Sequence, residues 1–78
     1  MTKATFRIIR FPLPTGDRYI GVAWNYDRAV LISTVDRESY TGARSELDAD
    51  CEARRVSLQW FDGSYVSVGN SEIVPDPA

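Results

Sequence analysis

The chain has 78 residues, of which 44% are hydrophobic and 26% charged, and its formal net charge is −2. This composition is ordinary for a folded domain, and the length predicts one domain, 1–78, close to the lower size limit for a single core. With one cysteine and no histidine, a zinc site is close to excluded, and an internal disulfide and histidine-dependent nucleophiles are excluded. We therefore expect no metal, no cofactor and no enzymatic activity.

The termini and the charge distribution bear on location and partners. No apolar run approaches the roughly 20 residues of a membrane span and no signal-peptide pattern is present, so we expect a cytoplasmic protein that contacts no membrane. Residues 1–44 carry seven Lys or Arg and four acids, whereas residues 45–78 carry two Arg and seven acids. A duplex-DNA-binding protein is expected to be net basic. The asymmetry favours a charged protein partner at least as well as a nucleic acid.

The first half of the chain predicts three β strands. Residues 4–11 carry apolar side chains on both faces, and residues 29–35 form a continuous apolar run that predicts a central strand buried on both sides. Between them, residues 18–26 alternate as a half-buried strand does. Four large side chains of that strand share one face: Ile20, Val22, Trp24 and Tyr26. Gly21, on its other face, predicts a bulge or a close backbone approach.

A short helix is predicted at residues 44–54. Ser45 is a suitable N-cap, and Gly42 argues against an earlier start. An apolar stripe at helical spacing is formed by Tyr40, Ala43, Leu47 and Cys51. This narrow stripe is suited to covering the edge of a sheet or the mouth of a barrel.

Residues 56–68 predict a β-hairpin with its turn at Asp62-Gly63, because alternating strands flank a dipeptide that accepts positive φ angles. The element order is then β-β-β-α-β-β, a mainly β fold with short connections. It can close as a small antiparallel five-stranded barrel or curved sheet with one short helix. The alternative is an open α+β antiparallel sheet with the helix on one face.

The last third contains Val56-x-Leu58-x-Trp60-Phe-Asp-Gly63, then Val66-x-Val68 and Glu72-Ile-Val-Pro75. This run resembles the closing strands of SH3-like small barrels, especially Tudor-type domains. The resemblance implies a barrel and an aromatic cage that holds a methylated Lys or Arg by cation–π attraction. The matching side chains are Trp24, Tyr26, Trp60 and Tyr65, with Asp62 as counter-charge. The alternative is that both tryptophans belong to the core.

Our first functional hypothesis is a non-enzymatic protein-binding domain. The chain begins at Met1, and we expect it to be complete, with no attached catalytic domain. In size and composition it is similar to small inhibitors encoded by phages and mobile elements, anti-CRISPR proteins among them, which implies occlusion of a site on a protein partner. Four acidic side chains could stand in for the phosphates of a nucleic acid at that site: Glu46, Asp48, Asp50 and Glu52. Tyr40 is a further candidate contact, since interfaces are enriched in tyrosine.

The second hypothesis is single-stranded nucleic-acid binding through the basic N-terminal half, with arginines interleaved between aromatic residues. Arg7, Arg10 and Arg28 are its main candidates. The alternative is that these arginines are solvated and keep strand edges soluble. A homodimer is expected if strand 4–11 leaves its edge exposed.

Overall fold

The structure, a computed structural model, describes residues 2–25, 27–61 and 71–74. Three strands come first: β1 (Thr2–Phe11), β2 (Arg18–Asn25) and β3 (Val30–Arg37). They are followed by α1 (Tyr40–Ala53), β4 (Val56–Trp60) and β5 (Glu72–Ile73). The predicted mainly β fold with one helix is confirmed. The predicted Asp62-Gly63 turn and its return strand lie outside the described residues.

The strands form an open mixed sheet in the order β3-β2-β1-β4, and β5 pairs with β1 beyond β4. β1, β2 and β3 are antiparallel neighbours, but β4 runs parallel to β1. The parallel pair arises because α1 carries the chain from β3 back over the sheet to the far side of β1. Among the described strands, the prediction of a five-stranded barrel is therefore wrong, as is the prediction of a purely antiparallel sheet, whereas the open sheet is confirmed.

β1, rather than β3, is the central strand. Its residues Ala4, Phe6 and Ile8 are buried, and it has paired strands on both sides. β3 is the outer strand, and its first residues, Val30 and Leu31, are 52% and 61% exposed. The predicted central position of 29–35 is wrong, because its apolar run extends over a solvent-exposed strand start. The homodimer predicted through an exposed β1 edge loses its basis, since β1 is paired on both sides.

The helix packs on the face of the sheet where β2 has its smallest side chains. Gly21 and Ala23 lie under α1, where Leu47 approaches Gly21. A Cβ atom at Gly21 would lie 2.9 Å from Cγ2 of Val35, so the close approach predicted there is confirmed. The register shift of the β2–β3 pair lies elsewhere, between Ala23 and Trp24.

The predicted apolar stripe of α1 is confirmed, since Ala43, Leu47 and Cys51 are buried against the sheet. The predicted helix start is wrong: the N-cap is Ser39, whose hydroxyl accepts a hydrogen bond from the amide of Gly42 at 3.0 Å. A Cβ at Gly42 would lie 3.0 Å from that hydroxyl oxygen, so glycine makes room for the cap. No helix in the described ranges is long and apolar enough to cross a membrane.

Candidate functional site

The two tryptophans lie on opposite faces of the sheet. Trp60 packs edge-to-face on Phe6, with ring centroids 5.2 Å apart, on the face covered by α1. Trp24 packs on Phe61 at 5.3 Å on the other face. A cage that joins both indoles is therefore absent from the described residues. The other cage candidates, Tyr26, Tyr65 and Asp62, lie outside the residues that the structure describes.

The second face of the sheet carries half-buried aliphatic and aromatic side chains around one buried arginine. Its apolar members are Ile9, Phe11, Ile20, Val22, Trp24 and Phe61. Arg7 is only 8% exposed, and its guanidinium lies 4.5 Å from the centroid of the Phe61 ring. Stacking of a guanidinium on an aromatic ring is a favourable cation–π contact. Arg7 is thus part of the packing of this face rather than of a solvated basic surface.

The structure does not bring the three nucleic-acid candidates together. Arg7 lies on the second face, whereas Arg10 projects to the opposite side of β1 and pairs with Asp17 at 3.3 Å. Arg28 is exposed in the β2–β3 turn, where its amide donates to Oδ1 of Asn25. These positions do not form the continuous basic track that a single strand requires.

Three of the four acidic candidates of α1 are paired with cations of this chain. Glu46 forms an ion pair with Arg37, and Asp48 pairs with Arg44 at 3.3 Å. Asp50 accepts a 2.5 Å hydrogen bond from the Ser33 hydroxyl and lies 3.6 Å from Arg54. Glu52 is exposed. The acids alternate with arginines, so this helix face differs from the uniform negative surface of a phosphate mimic.

Tyr40, the remaining candidate on α1, is half-buried and packs against the core at the start of the helix. Its position therefore supports the seating of α1 on the sheet.

A cleft of about 330 Å³ opens where the start of β1 meets the ends of β2 and β4. Of the residues that the structure describes, seven line it: Lys3, Thr5, Asn25, Asp27, Gln59, Trp60 and Phe61. This lining combines one positive and one negative charge, two carboxamides, a hydroxyl group and two aromatic rings. Such groups donate and accept hydrogen bonds next to an apolar wall, which suits non-covalent binding.

Exposed aliphatic side chains adjoin the cleft. In the β2–β3 register Leu31 is opposite Trp24, and Val30 is opposite the cleft residue Asn25. We call Trp24, Val30 and Leu31 the tip surface; Trp24 and Leu31 share the second face, whereas Val30, at the same end of the sheet, is directed to the other face. Ala29, directly before β3, has a φ of 53°. Leu13, a further exposed large hydrophobic residue, lies in the β1–β2 connection.

Sequence reasoning identified Trp24 of the tip surface and Trp60 of the cleft. It missed the other cleft residues and Leu31. One signal was present: Val30, Leu31 and Ile32 are consecutive apolar residues, and a strand can direct only alternate side chains toward one face. The polar cleft residues come from three separate strands and from the β2–β3 turn, and no local pattern links them.

Cys51 is expected to be nearly inert in the folded protein. Burial raises the pKa of its thiol, and the negative charge of Asp50 raises it further. At pH 8, a thiol reagent such as DTNB should therefore react at least about 100-fold more slowly than in the urea-unfolded chain, because reaction requires opening.

A Thr34→Cys variant supplies the matched control, since Thr34 is exposed on β3; its added thiol should react rapidly. Equal rates for Cys51 in the folded and unfolded chain would contradict its buried placement.

The raised pKa of Cys51 also makes stability depend on pH. Because the folded chain holds the thiol proton more tightly than the unfolded chain, the protonated thiol contributes to stability below the ordinary thiol pKa. That contribution is lost as the pH rises toward the raised value.

Within the described ranges, no group of three or more Asp, Glu, Cys or His residues is placed to hold a metal ion. The chain matches no protein-family model, and comparisons with curated proteins and with solved structures find no significant match.

Proposed function

We propose that this chain is a non-enzymatic protein-binding domain that contacts its partner through the tip surface and the adjoining cleft. The observation that supports this proposal is the exposure of Val30 and Leu31, at 52% and 61%, beside Trp24 and the cleft.

The energetic argument starts from the apolar side chains. Complete burial of a Val or Leu side chain contributes about 1.5–3 kcal/mol relative to leaving it exposed. Part of that free energy is available at Val30 and Leu31, since both remain more than half exposed in the free protein. Trp24 adds a rigid aromatic surface next to them, and tryptophan is among the residues that contribute most to protein interfaces.

The chemistry of the cleft defines the partner. The carboxamides of Asn25 and Gln59 can donate to and accept from peptide groups. Lys3 and Asp27 supply one charge of each sign, so the cleft does not select a strongly charged ligand. The occupant that fits is an extended segment of a partner protein, with its main chain in the cleft and an apolar side chain against Leu31.

Inhibition by occlusion remains part of the proposal, with a different contact surface from the acidic helix face. Three carboxylates of that face are already paired with arginines. The tip surface consists of uncharged side chains and would cover the partner's site through apolar contact.

Photo-crosslinking tests this proposal. With benzoylphenylalanine at position 31, irradiation of cells that make the protein should yield a discrete protein adduct that survives nuclease treatment. The same group at position 13 should give no such adduct, because Leu13 is similarly exposed but lies in the β1–β2 connection.

The crosslinked protein would then be purified and its affinity measured by titration calorimetry. Leu31→Glu should weaken binding at least about tenfold, or 1.4 kcal/mol, whereas Leu13→Glu should leave it within about twofold. Equal losses for both variants would refute the tip surface as the contact. An adduct lost on nuclease treatment would replace the protein partner with a nucleic acid.

A further inference from the structure

Among the described strands, β3 pairs only with β2, and two backbone carbonyls of β3 accept hydrogen bonds from arginine side chains. Arg54 donates a 2.6 Å hydrogen bond from Nη1 to the carbonyl of Ile32, and Arg37 donates one of 2.7 Å to the carbonyl of Asp36. We call Arg37 and Arg54 the edge-capping arginines. The carbonyls of Ile32 and Asp36 accept these bonds on the side of β3 away from β2. Peptide groups alternate in direction along a regular strand, so the peptide group of Thr34, two residues before Asp36, points to the same side.

Both edge-capping arginines are held in place by the helix. Arg37 forms an ion pair with Glu46, and Arg54 lies 3.6 Å from Asp50, which also accepts the hydrogen bond of Ser33. Glu46 and Asp50 are one helical turn apart, on the side of α1 that faces β3. The register shift opposite Ala23 and Trp24 falls at Ile32. Bulges and charged side chains are the devices by which natural sheets prevent pairing at an edge.

The outward groups of β3 match those of a second β3 running antiparallel to it. A two-fold axis at Thr34 places Thr34 opposite its own copy and Ile32 opposite Asp36, so each outward residue meets an outward residue. Thr–Thr pairs are favourable across antiparallel strands. Two features oppose this register: the arginine side chains that already occupy the two carbonyls, and the bulge at Ile32.

We propose that the β3 edge is a latent strand-addition surface for a second copy of this chain. Arg37 and Arg54 close this surface by occupying the carbonyls of Asp36 and Ile32, and Glu46 and Asp50 act as positioning residues for the two guanidinium groups. This inference is independent of the tip surface, which uses side chains at the start of β3.

Sedimentation velocity of the Arg37→Ala/Arg54→Ala variant tests the proposal. The variant should form a dimer whose dissociation constant is at least about tenfold lower than that of the wild-type chain. The control is Arg28→Ala/Arg55→Ala, which removes the same charge. Within the described ranges, neither of these arginines donates to a β3 carbonyl, so self-association should be unchanged.

Adding Thr34→Pro to the Arg37→Ala/Arg54→Ala background tests whether the edge itself pairs. Proline removes the outward N–H of position 34 and cannot join a strand ladder on that side. The triple variant should return to the monomer. A folded double variant that stays as monomeric as the wild-type chain overturns the proposal, and so does a dimer that persists with the proline.

Circular dichroism would establish whether each variant is folded. If the double variant is unfolded, the single variants Arg37→Ala and Arg54→Ala decide. Each uncovers one carbonyl and should dimerise more tightly than the wild-type chain, and folded single variants that stay as monomeric as the wild type overturn the proposal. Hydrogen exchange of the wild-type monomer should show fast exchange at Thr34 and slow exchange at Val35. Slow exchange at Thr34 in the monomer would contradict the outward direction of its amide.

Discussion

Replacing Phe6 with alanine is expected to lower the free energy of unfolding by about 3–5 kcal/mol, the largest effect we predict for a single substitution. Phe6 lies in the middle of the central strand and is only 2% exposed. Its ring contacts Trp60 edge-to-face, and the guanidinium of Arg44 lies 4.2 Å from its centroid. The substitution removes a buried ring and leaves a cavity between the sheet and α1.

Urea denaturation followed by tryptophan fluorescence would measure this loss. A domain of this length has a total stability of about 4–12 kcal/mol, so Phe6→Ala should shift the midpoint strongly or leave part of the chain unfolded without denaturant. Phe11→Ala is the matched control, because Phe11 ends the same strand but is only half-buried on the second face. A loss below about 1 kcal/mol for Phe6→Ala, or losses of equal size for both variants, would contradict the assigned core.

The order of the first five elements, from β1 to β4 with α1, could be predicted from the sequence, but the pairing of the strands could not. Alternation and apolar runs identified the three N-terminal strands, because side-chain direction follows directly from strand geometry. The partner of β4 depends on the path of α1 across the sheet. The Asp62-Gly63 signal concerns a turn after β4 and carries no information about β1. A local turn motif therefore suggested an antiparallel barrel where the described strands form an open sheet with a parallel pair.

The helix start shows how sequence reasoning can give one residue the wrong role. Gly42 reads as a helix breaker because glycine has a high conformational entropy cost in a helix interior. In the structure it occupies the first turn, where the absence of a Cβ leaves room for the Ser39 hydroxyl. Capping contributes about 1 kcal/mol, which offsets most of the propensity cost.

The charge pattern of α1 was predictable in part. Arg44 with Asp48 and Asp50 with Arg54 are spaced four residues apart, which is the spacing of ion pairs on one helix face. This spacing by itself argues against an unpaired acidic surface. The ion pair between Arg37 and Glu46 joins a strand to the helix, and no sequence spacing indicates it. The capped edge of β3 could therefore be recognised only from the fold.

Placing a valine at position 21 is expected to lower the free energy of unfolding by about 1–3 kcal/mol, the second large effect we predict. A Cβ at Gly21 would lie 2.9 Å from Cγ2 of Val35 and 3.1 Å from Cδ1 of Ile8. Both neighbours are buried, so neither can move aside without displacing the helix above them. Thr34→Val adds a β-branched apolar side chain to the exposed outer strand and should change stability by no more than about 0.5 kcal/mol.

A double-mutant cycle separates overpacking at Gly21 from a general loss of backbone freedom. Combining Gly21→Val with Val35→Ala removes the side chain that the new atoms would meet, so the two losses should be less than additive by about 0.5–3 kcal/mol. Thermal unfolding would report this directly, since 1 kcal/mol shifts the midpoint of a domain of this size by about 4–8 °C. Strict additivity would contradict the contact between positions 21 and 35, and with it the close seating of α1 on β2.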